Sequence, residues 1–175
     1  CWEHPREAVE VNVIGSMNVL EAFRAEAPGA RILFVSSAQV YGSHPEPSVV
    51  SETAPLRSEN VYGLTKACMD QAGRMFAEHD GLHVAVARPI NHIGPGQSPE
   101  FVTSAFAAQL REIAAGRREP VMKVGNLESR RDFVDVRDVA RAYRLLLEEG
   151  HTGEAYNVAT GTLHRIGSVL DILSD

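Results

Sequence analysis

Arg31-Ile32-Leu33-Phe34-Val35-Ser36-Ser37 decides the fold class of this 175-residue chain. Its apolar run has no alternation, which predicts a strand buried on both faces, as in a parallel sheet covered by helices. The flanking segments fit. Upstream, residues 6–26 read as a helix: Val9, Val13, Met17, Leu20 and Phe23 fall on one stripe, and Pro28-Gly29 ends it. Downstream, residues 38–60 form a loop rich in Pro, Ser and Glu. Residues 61–79 form a second helix stopped by Asp80-Gly81, and residues 83–89 (HVAVARP) a second buried strand. Two strands, each preceded by a helix, predict an α/β chain.

Farther out the elements shorten. Residues 91–99 read as a Gly/Pro-rich loop, 101–115 as a helix and 120–124 as a strand. Phe133-Val134 is extended, 136–149 a helix, 154–159 a third buried strand, and 166–173 the start of a last helix. There is no internal repeat, no low-complexity segment, and no linker that would separate independent domains.

Composition narrows the function classes. A hydrophobic content of 44% is enough for a real core. The formal charge of −6 argues against broad electrostatic binding to nucleic acid or anionic membrane, so a phosphate ligand would need local basic residues or helix N-termini. Cys1 and Cys68 make no disulfide framework and have no partner at zinc-ligand spacing. The histidines show no metal spacing either, so no metal site is expected. A reducing, cytoplasmic setting fits, with no apolar run of membrane-spanning length and no signal peptide. The first residues, Cys1-Trp2-Glu3-His4-Pro5, are not an initiator sequence, which suggests a chain that starts mid-protein.

Two stretches carry chemistry. In Tyr62-Gly63-Leu64-Thr65-Lys66 the tyrosine and lysine sit four apart, on one face of the second helix. A tyrosine hydroxyl has a reference pKa of about 10. A cation one turn away is expected to lower it and ready the pair for proton transfer at a carbonyl or alcohol. On spacing alone, a surface tyrosine stacked on a lysine stem fits as well. Ser36-Ser37-Ala38-Gln39-Val40-Tyr41-Gly42 lies at the C-terminal end of a buried strand, where open parallel sheets bind ligands. A hydroxyl there can hold developing charge on a reacting oxygen, or merely satisfy loop backbone.

Taken together and in this order, VSSAQVYG and VYGLTKA resemble the Ser-Tyr-x-x-x-Lys active site of extended short-chain dehydrogenases/reductases. Residues 12–22 (NVIGSMNVLEA), 88–96 (RPINHIGPG), 131–138 (RDFVDVRD) and 154–158 (EAYNV) also resemble that family's motifs. Residues 91–110 and 123–138 are similar to GDP-4-keto-6-deoxy-mannose reductases, and in part to GDP-mannose 4,6-dehydratases.

The resemblance implies a Rossmann-type, doubly wound parallel sheet with a small substrate-binding region. Rossmann elements would be residues 1–90 and 134–159, and substrate elements 91–133 and 160–175, in one incomplete unit. It further implies Ser37, Tyr62, Lys66 and Asn12 as catalytic residues, with Tyr62 as general acid. Ser36, Tyr62, Lys66, Pro89 and Ile90 would contact NADP or NAD, with NADPH favoured. Ser37, Gln39, Asn91, Val102, Lys123 and Arg131 would contact a GDP-sugar, the arginine through its paired donors. Helices 6–26 and 61–79 would form a homodimer interface.

In this family's dehydratases a carboxylic acid lies two residues past the active-site Ser/Thr. Here that residue is Gln39, and an amide cannot act as general acid or base. That favours reduction of a 4-keto sugar over dehydration and leaves an epimerase open. A non-catalytic module of the same fold would not need Ser37, Tyr62 and Lys66 together. The family's GxxGxxG phosphate loop is not in the sequence, so an N-terminal part of the unit, and a C-terminal one, are expected to lie outside it.

Overall fold

A computed structural model of the chain describes residues 3–44 and 49–174. A helical stretch comes first: α1 (Pro5–Val9), a π-helical turn (Glu10–Ile14) and α2 (Gly15–Glu26). Then follow β1 (Arg31–Val35), a 3-10 turn (Ala38–Tyr41), α3 (Val61–Asp80) and β2 (His83–Pro89). The remainder is β3 (Asn91–Ile93), α4 (Val102–Ala114), β4 (Arg130–Arg131), β5 (Phe133–Asp135), α5 (Val136–Glu149), β6 (Ala155–Val158), β7 (His164–Arg165) and α6 (Ile166–Ser174). These elements separate into two compact units, Cys1–Ile90 with Asp138–Val158, and Asn91–Arg137 with Ala159–Asp175.

The first unit is built on a parallel sheet of order β1-β2-β6. β2 pairs with β1 in the register Val35↔Ala87 and with β6 in the register Arg88↔Asn157. The central strand β2 is the one buried on both faces, from Val84 to Pro89. β1 instead alternates: Ile32 and Phe34 are buried, while Leu33 and Val35 are half-buried. The expectation of full burial for the first strand therefore holds for one face only. Leu20 of α2 and Met69 of α3 pack against Ile32, Phe34, Val84 and Val86. Burying a side chain of this size contributes about 1.5–3 kcal/mol, so this layer anchors both helices to the sheet.

The first helix departs from a regular α-helix where Gly15 N–H donates to Glu10 O, a five-residue step. The stripe read from the sequence is therefore not one seam: Leu20 is fully buried, whereas Val9 is 41% exposed.

In the second unit β3 pairs with β5 in parallel and β4 with β7 antiparallel. The expected strand at residues 120–124 does not form. Lys123 N–H donates to Gln109 Oε1 (2.9 Å) and Lys123 O accepts from Gln109 Nε2 (3.0 Å), so a side-chain amide of α4 takes the place of a neighbouring strand. Among the described residues no helix is long and apolar enough to cross a membrane, and no cluster of His, Cys, Asp and Glu could hold a metal ion.

Candidate active site

The pairing of β1 with β2 runs one residue past the strand, with Ser36 N–H donating to Ala87 O at 2.7 Å. The chain then turns. Ser37 caps the 3-10 turn, its Oγ accepting from Gln39 N–H at 3.2 Å. This puts the Ser37 hydroxyl at the C-terminal end of β1, the side of a parallel sheet where ligands bind.

Asn60 joins that turn to α3. Its Oδ1 accepts from Gly63 N–H (2.8 Å), satisfying one of the free donors of the helix start, and its Nδ2 donates to Gln39 Oε1 (3.0 Å). Gly63 completes the approach: a Cβ there would lie 2.7 Å from Gln39 O. Only a residue without a side chain lets the helix come this near.

α3 then presents Tyr62 and Lys66. Lys66 Nζ donates to Val35 O at 2.8 Å and stands 5.8 Å from the centroid of the Tyr62 ring. Ser36 Oγ, buried, donates to Lys66 O at 3.3 Å, so its hydroxyl braces the lysine's own backbone. Ser36, Ser37, Tyr62 and Lys66 thus converge on one place.

The electrostatics differ from the expectation drawn from spacing. Burial raises the Tyr62 phenol above its ordinary value, and a hydrogen bond from Ser37 only partly offsets this. The Lys66 ammonium is instead engaged by the Val35 carbonyl. Burial lowers the Lys66 pKa in turn.

Asn12, half-buried in the π turn, acts at one remove. Its Nδ2 donates to Thr65 Oγ1 (3.0 Å), and Thr65 Oγ1 donates to Tyr62 O (2.9 Å). Thr65 is a link that sequence reasoning missed, although it stands inside the quoted Tyr62–Lys66 motif. Pro89 ends β2, buried, and Ile90 follows with its N–H on Val158 O at 3.1 Å.

The other candidates lie in the second unit. Asn91 Nδ2 donates to Asp132 O (3.3 Å), which brings Asn91 beside the backbone next to Arg131. Arg131 is exposed on β4 opposite His164, its Nη1 donating to Arg130 O at 2.6 Å. It pairs with neither Glu128 nor Asp135: Arg165 takes the first and Arg137 the second. Asp132 is buried and accepts from Thr160 N–H, Thr160 Oγ1 and Gly161 N–H at 2.9, 2.6 and 2.7 Å, fixing the strand on which Arg131 sits. Val102 opens α4, and Lys123 is held by Gln109. Gln97 orders the loop before α4, donating to His92 O and accepting from Thr103 and Ser104.

The family described as GDP-mannose 4,6 dehydratase matches residues 1–174. The chain belongs to that family, within the extended short-chain dehydrogenases/reductases. It is 34% identical over 176 residues to the GDP-6-deoxy-D-mannose reductase of Pseudomonas aeruginosa, covering 100% of this chain and 58% of that protein. Among solved structures it resembles RMD from Pseudomonas aeruginosa complexed with NADPH, with a TM-score of 0.94 and 32% identity over 98% of this chain and 59% of the other. It also resembles the dTDP-glucose 4,6-dehydratase of Bacillus anthracis in complex with NAD, with a TM-score of 0.83 and 27% identity over 94% and 51%. The chain thus spans a little over half the length of these relatives. These likenesses establish the Rossmann-type α/β fold.

The turn after β1 also carries Gln39. Gln39 is exposed there, with its side-chain oxygen engaged by Asn60.

Proposed function

We propose that this chain carries the proton-transfer machinery of a nucleotide-sugar reductase. The reaction is reduction of the C4 keto group of a GDP-4-keto-6-deoxy-hexose to a GDP-6-deoxy-hexose of the GDP-rhamnose type. The observation that carries the reading is the convergence of Tyr62 and Lys66 on α3 with the Ser37 hydroxyl at the C-terminal end of β1. Ser37 donates a hydrogen bond to the keto oxygen and stabilises the charge that develops there. Tyr62 gives its proton to that oxygen, as a general acid. Gln39 cannot remove or donate a proton, which favours reduction over dehydration. The 34% identity to a GDP-6-deoxy-D-mannose reductase supports the same choice.

The residues fit a nicotinamide cofactor. The Lys66 ammonium has three donors, and the protein supplies it with the Val35 oxygen and the Met69 sulfur, which leaves one donor for a ribose hydroxyl. Pro89 and Ile90 would lie beside the nicotinamide, and NADPH or NADH would supply the hydride. Asn91 and Arg131 would hold the diphosphate, with Gln39, Val102 and Lys123 as further substrate contacts.

The test is consumption of NADPH and NADH by the full-length protein on adding GDP-4-keto-6-deoxy-mannose, with GDP-mannose as control. Consumption with the keto sugar alone supports the reading; keto sugar recovered unchanged refutes it. Tyr62→Phe should lower kcat about 10²- to 10⁴-fold with both ligands still bound, and near-normal turnover would remove Tyr62 as the acid.

The same protein is proposed to be a homodimer through helices 6–26 and 61–79. Ile14, Leu64 and Met75 are 52%, 54% and 56% exposed on them, apolar side chains that an interface would cover. A Leu64→Glu, Met75→Glu variant should run as a monomer in light scattering; an unchanged mass would place any interface elsewhere.

A further inference from the structure

Asp70 and Arg88 form a buried ion pair in the first unit. Arg88 Nε and Nη2 donate to the two oxygens of Asp70 at 2.7 and 2.9 Å, and the side chains are 1% and 0% exposed. Arg88 Nη1 also donates to Tyr41 Oη (2.8 Å) and Glu52 O (2.9 Å). Tyr41 Oη donates onward to Asn157 Oδ1 (2.8 Å). Asn157 closes the circuit, its N–H on Glu52 Oε1 and its Nδ2 on Val50 O, each at 2.9 Å.

Stability alone does not account for these charges. An apolar pair of similar volume is often as stable as a buried ion pair, or more so, because it avoids the desolvation penalty. Placement accounts for them better. Tyr41 ends the turn that Ser37 begins, four residues later. Asp70 lies one turn beyond Lys66 on α3, and Arg88 immediately precedes Pro89 and Ile90 on β2. One planar guanidinium on β2 therefore grips both segments that carry the proposed reacting groups, the turn through Tyr41 and α3 through Asp70, together with Glu52. Its donors are fixed in one plane, so the three partners are held at fixed angles to one another.

We propose that the Asp70–Arg88–Tyr41 network is a positioning device, which sets the spacing of Ser37 on its turn against Tyr62 and Lys66 on α3. The proposal rests on the reading of those three as the reacting groups. None of the network residues touches the substrate; they act through the segments they hold.

The test uses the full-length enzyme and three variants. Tyr41→Phe removes one hydroxyl. Arg88→Lys keeps the charge and loses the fork. The double variant Asp70→Leu, Arg88→Met removes both charges without leaving one buried alone. Leu82→Ala, a core truncation in the same unit, is the destabilised control. Two quantities are read: kcat and KM for the keto sugar, and the pH titration of the Tyr62 ring by carbon-13 NMR, assigned with Tyr62→Phe.

A displacement of about 1 Å at a reacting group can lower the rate about 100-fold. Tyr41→Phe and the double variant should therefore fold yet lose on the order of 10- to 100-fold in kcat with little change in KM. Their Tyr62 titration should move, and that of Arg88→Lys should move too, because the charge without the fork does not hold the spacing. Leu82→Ala should lose thermal stability and keep both readouts. Variants that lose stability but keep kcat and the Tyr62 titration would overturn the proposal. If the wild type does not reduce the keto sugar, the functional reading fails and the titration decides alone: unmoved, it sinks the positioning role; moved, it sustains it. If the double variant does not fold, Tyr41→Phe decides on the same criteria.

Discussion

Replacing Gly63 by alanine would put a methyl group between the two halves of the candidate active site. The new Cβ would stand 2.7 Å from the Gln39 carbonyl oxygen and 3.3 Å from both the Gln39 carbonyl carbon and Ser58 Cβ. Non-bonded contacts settle nearer 3.5–4.0 Å, so α3 and the Ser37 turn must part by roughly 0.5 Å or more. The obstructing oxygen belongs to the backbone and cannot swing aside as a side-chain tip would. Two terms then oppose each other. Alanine is better than glycine in a helix by up to about 1 kcal/mol, and overpacking costs about 1–3 kcal/mol. The net loss of stability should be about 0–2 kcal/mol, small enough to leave a folded protein. The effect on rate is larger in proportion. If about 1 Å of misplacement lowers a rate about 100-fold, half of that should lower kcat on the order of ten-fold. Steady-state oxidation of the reduced cofactor with the keto sugar, beside thermal denaturation by circular dichroism, measures both. A variant that melts higher than wild type with unchanged kcat would refute the reasoning, because it would show that the turn yields freely and holds no spacing.

Two further outcomes follow from the geometry. Asp132→Asn leaves one acceptor oxygen where three donors now converge, and hydrogen bonds to a charged group contribute about 1.5–3 kcal/mol each. The second unit should lose about 3 kcal/mol, read as faster hydrogen exchange at Thr160 and Gly161; unchanged protection there would show that the carboxylate is not what holds that chain. The raised Tyr62 pKa has a stability consequence of definite sign. The folded state holds the phenol's proton more tightly than the unfolded chain, whose value is near 10.0. This contribution is fully present below that pH and is lost as pH rises through the higher folded value. Urea denaturation between about pH 9 and 11 should show a steeper fall for wild type than for Tyr62→Phe; parallel curves would count against a raised phenol.

How much the sequence revealed depended on how locally each feature is determined. β2 and the helix α3 were legible because one strand's burial and one helix's stop signal are written in consecutive residues. The nearness of Tyr62 to Lys66 was legible for the same reason, since a spacing of four fixes a shared face. β4 and β7 were not, because two residues each carry no periodicity. The apolar residues around 120–124 suggested a strand, but nothing local announces that the Gln109 amide will take up the backbone of Lys123. The site shows the same division. Residue types and order pointed to Ser37 and Tyr62, whereas the sign of the Tyr62 shift depends on burial, a tertiary fact. The Asp70–Arg88 pair joins residues 18 apart on different elements, and Asn12–Thr65 joins residues 53 apart. Tyr41 and Asn157 stood inside quoted motifs without any hint of what they hold.

The π turn at Glu10–Ile14 gives the first helix an unusual freedom. A regular α-helix turns about 100° per residue, so its side chains are geared together: rotating one face into place rotates every other. The extra residue in this turn acts as a clutch. Upstream of it Val9 looks outward, while downstream Leu20 seats fully in the core, and Asn12, in the slipped ring itself, reaches Thr65. The angular setting of Asn12 is thereby uncoupled from the setting of Leu20. Gain or loss of one residue in a packed helix ordinarily rotates everything beyond it out of place. At this point the same change would retune one half while the other stays seated, which gives related chains a way to reset the angle of a site residue without repacking the core.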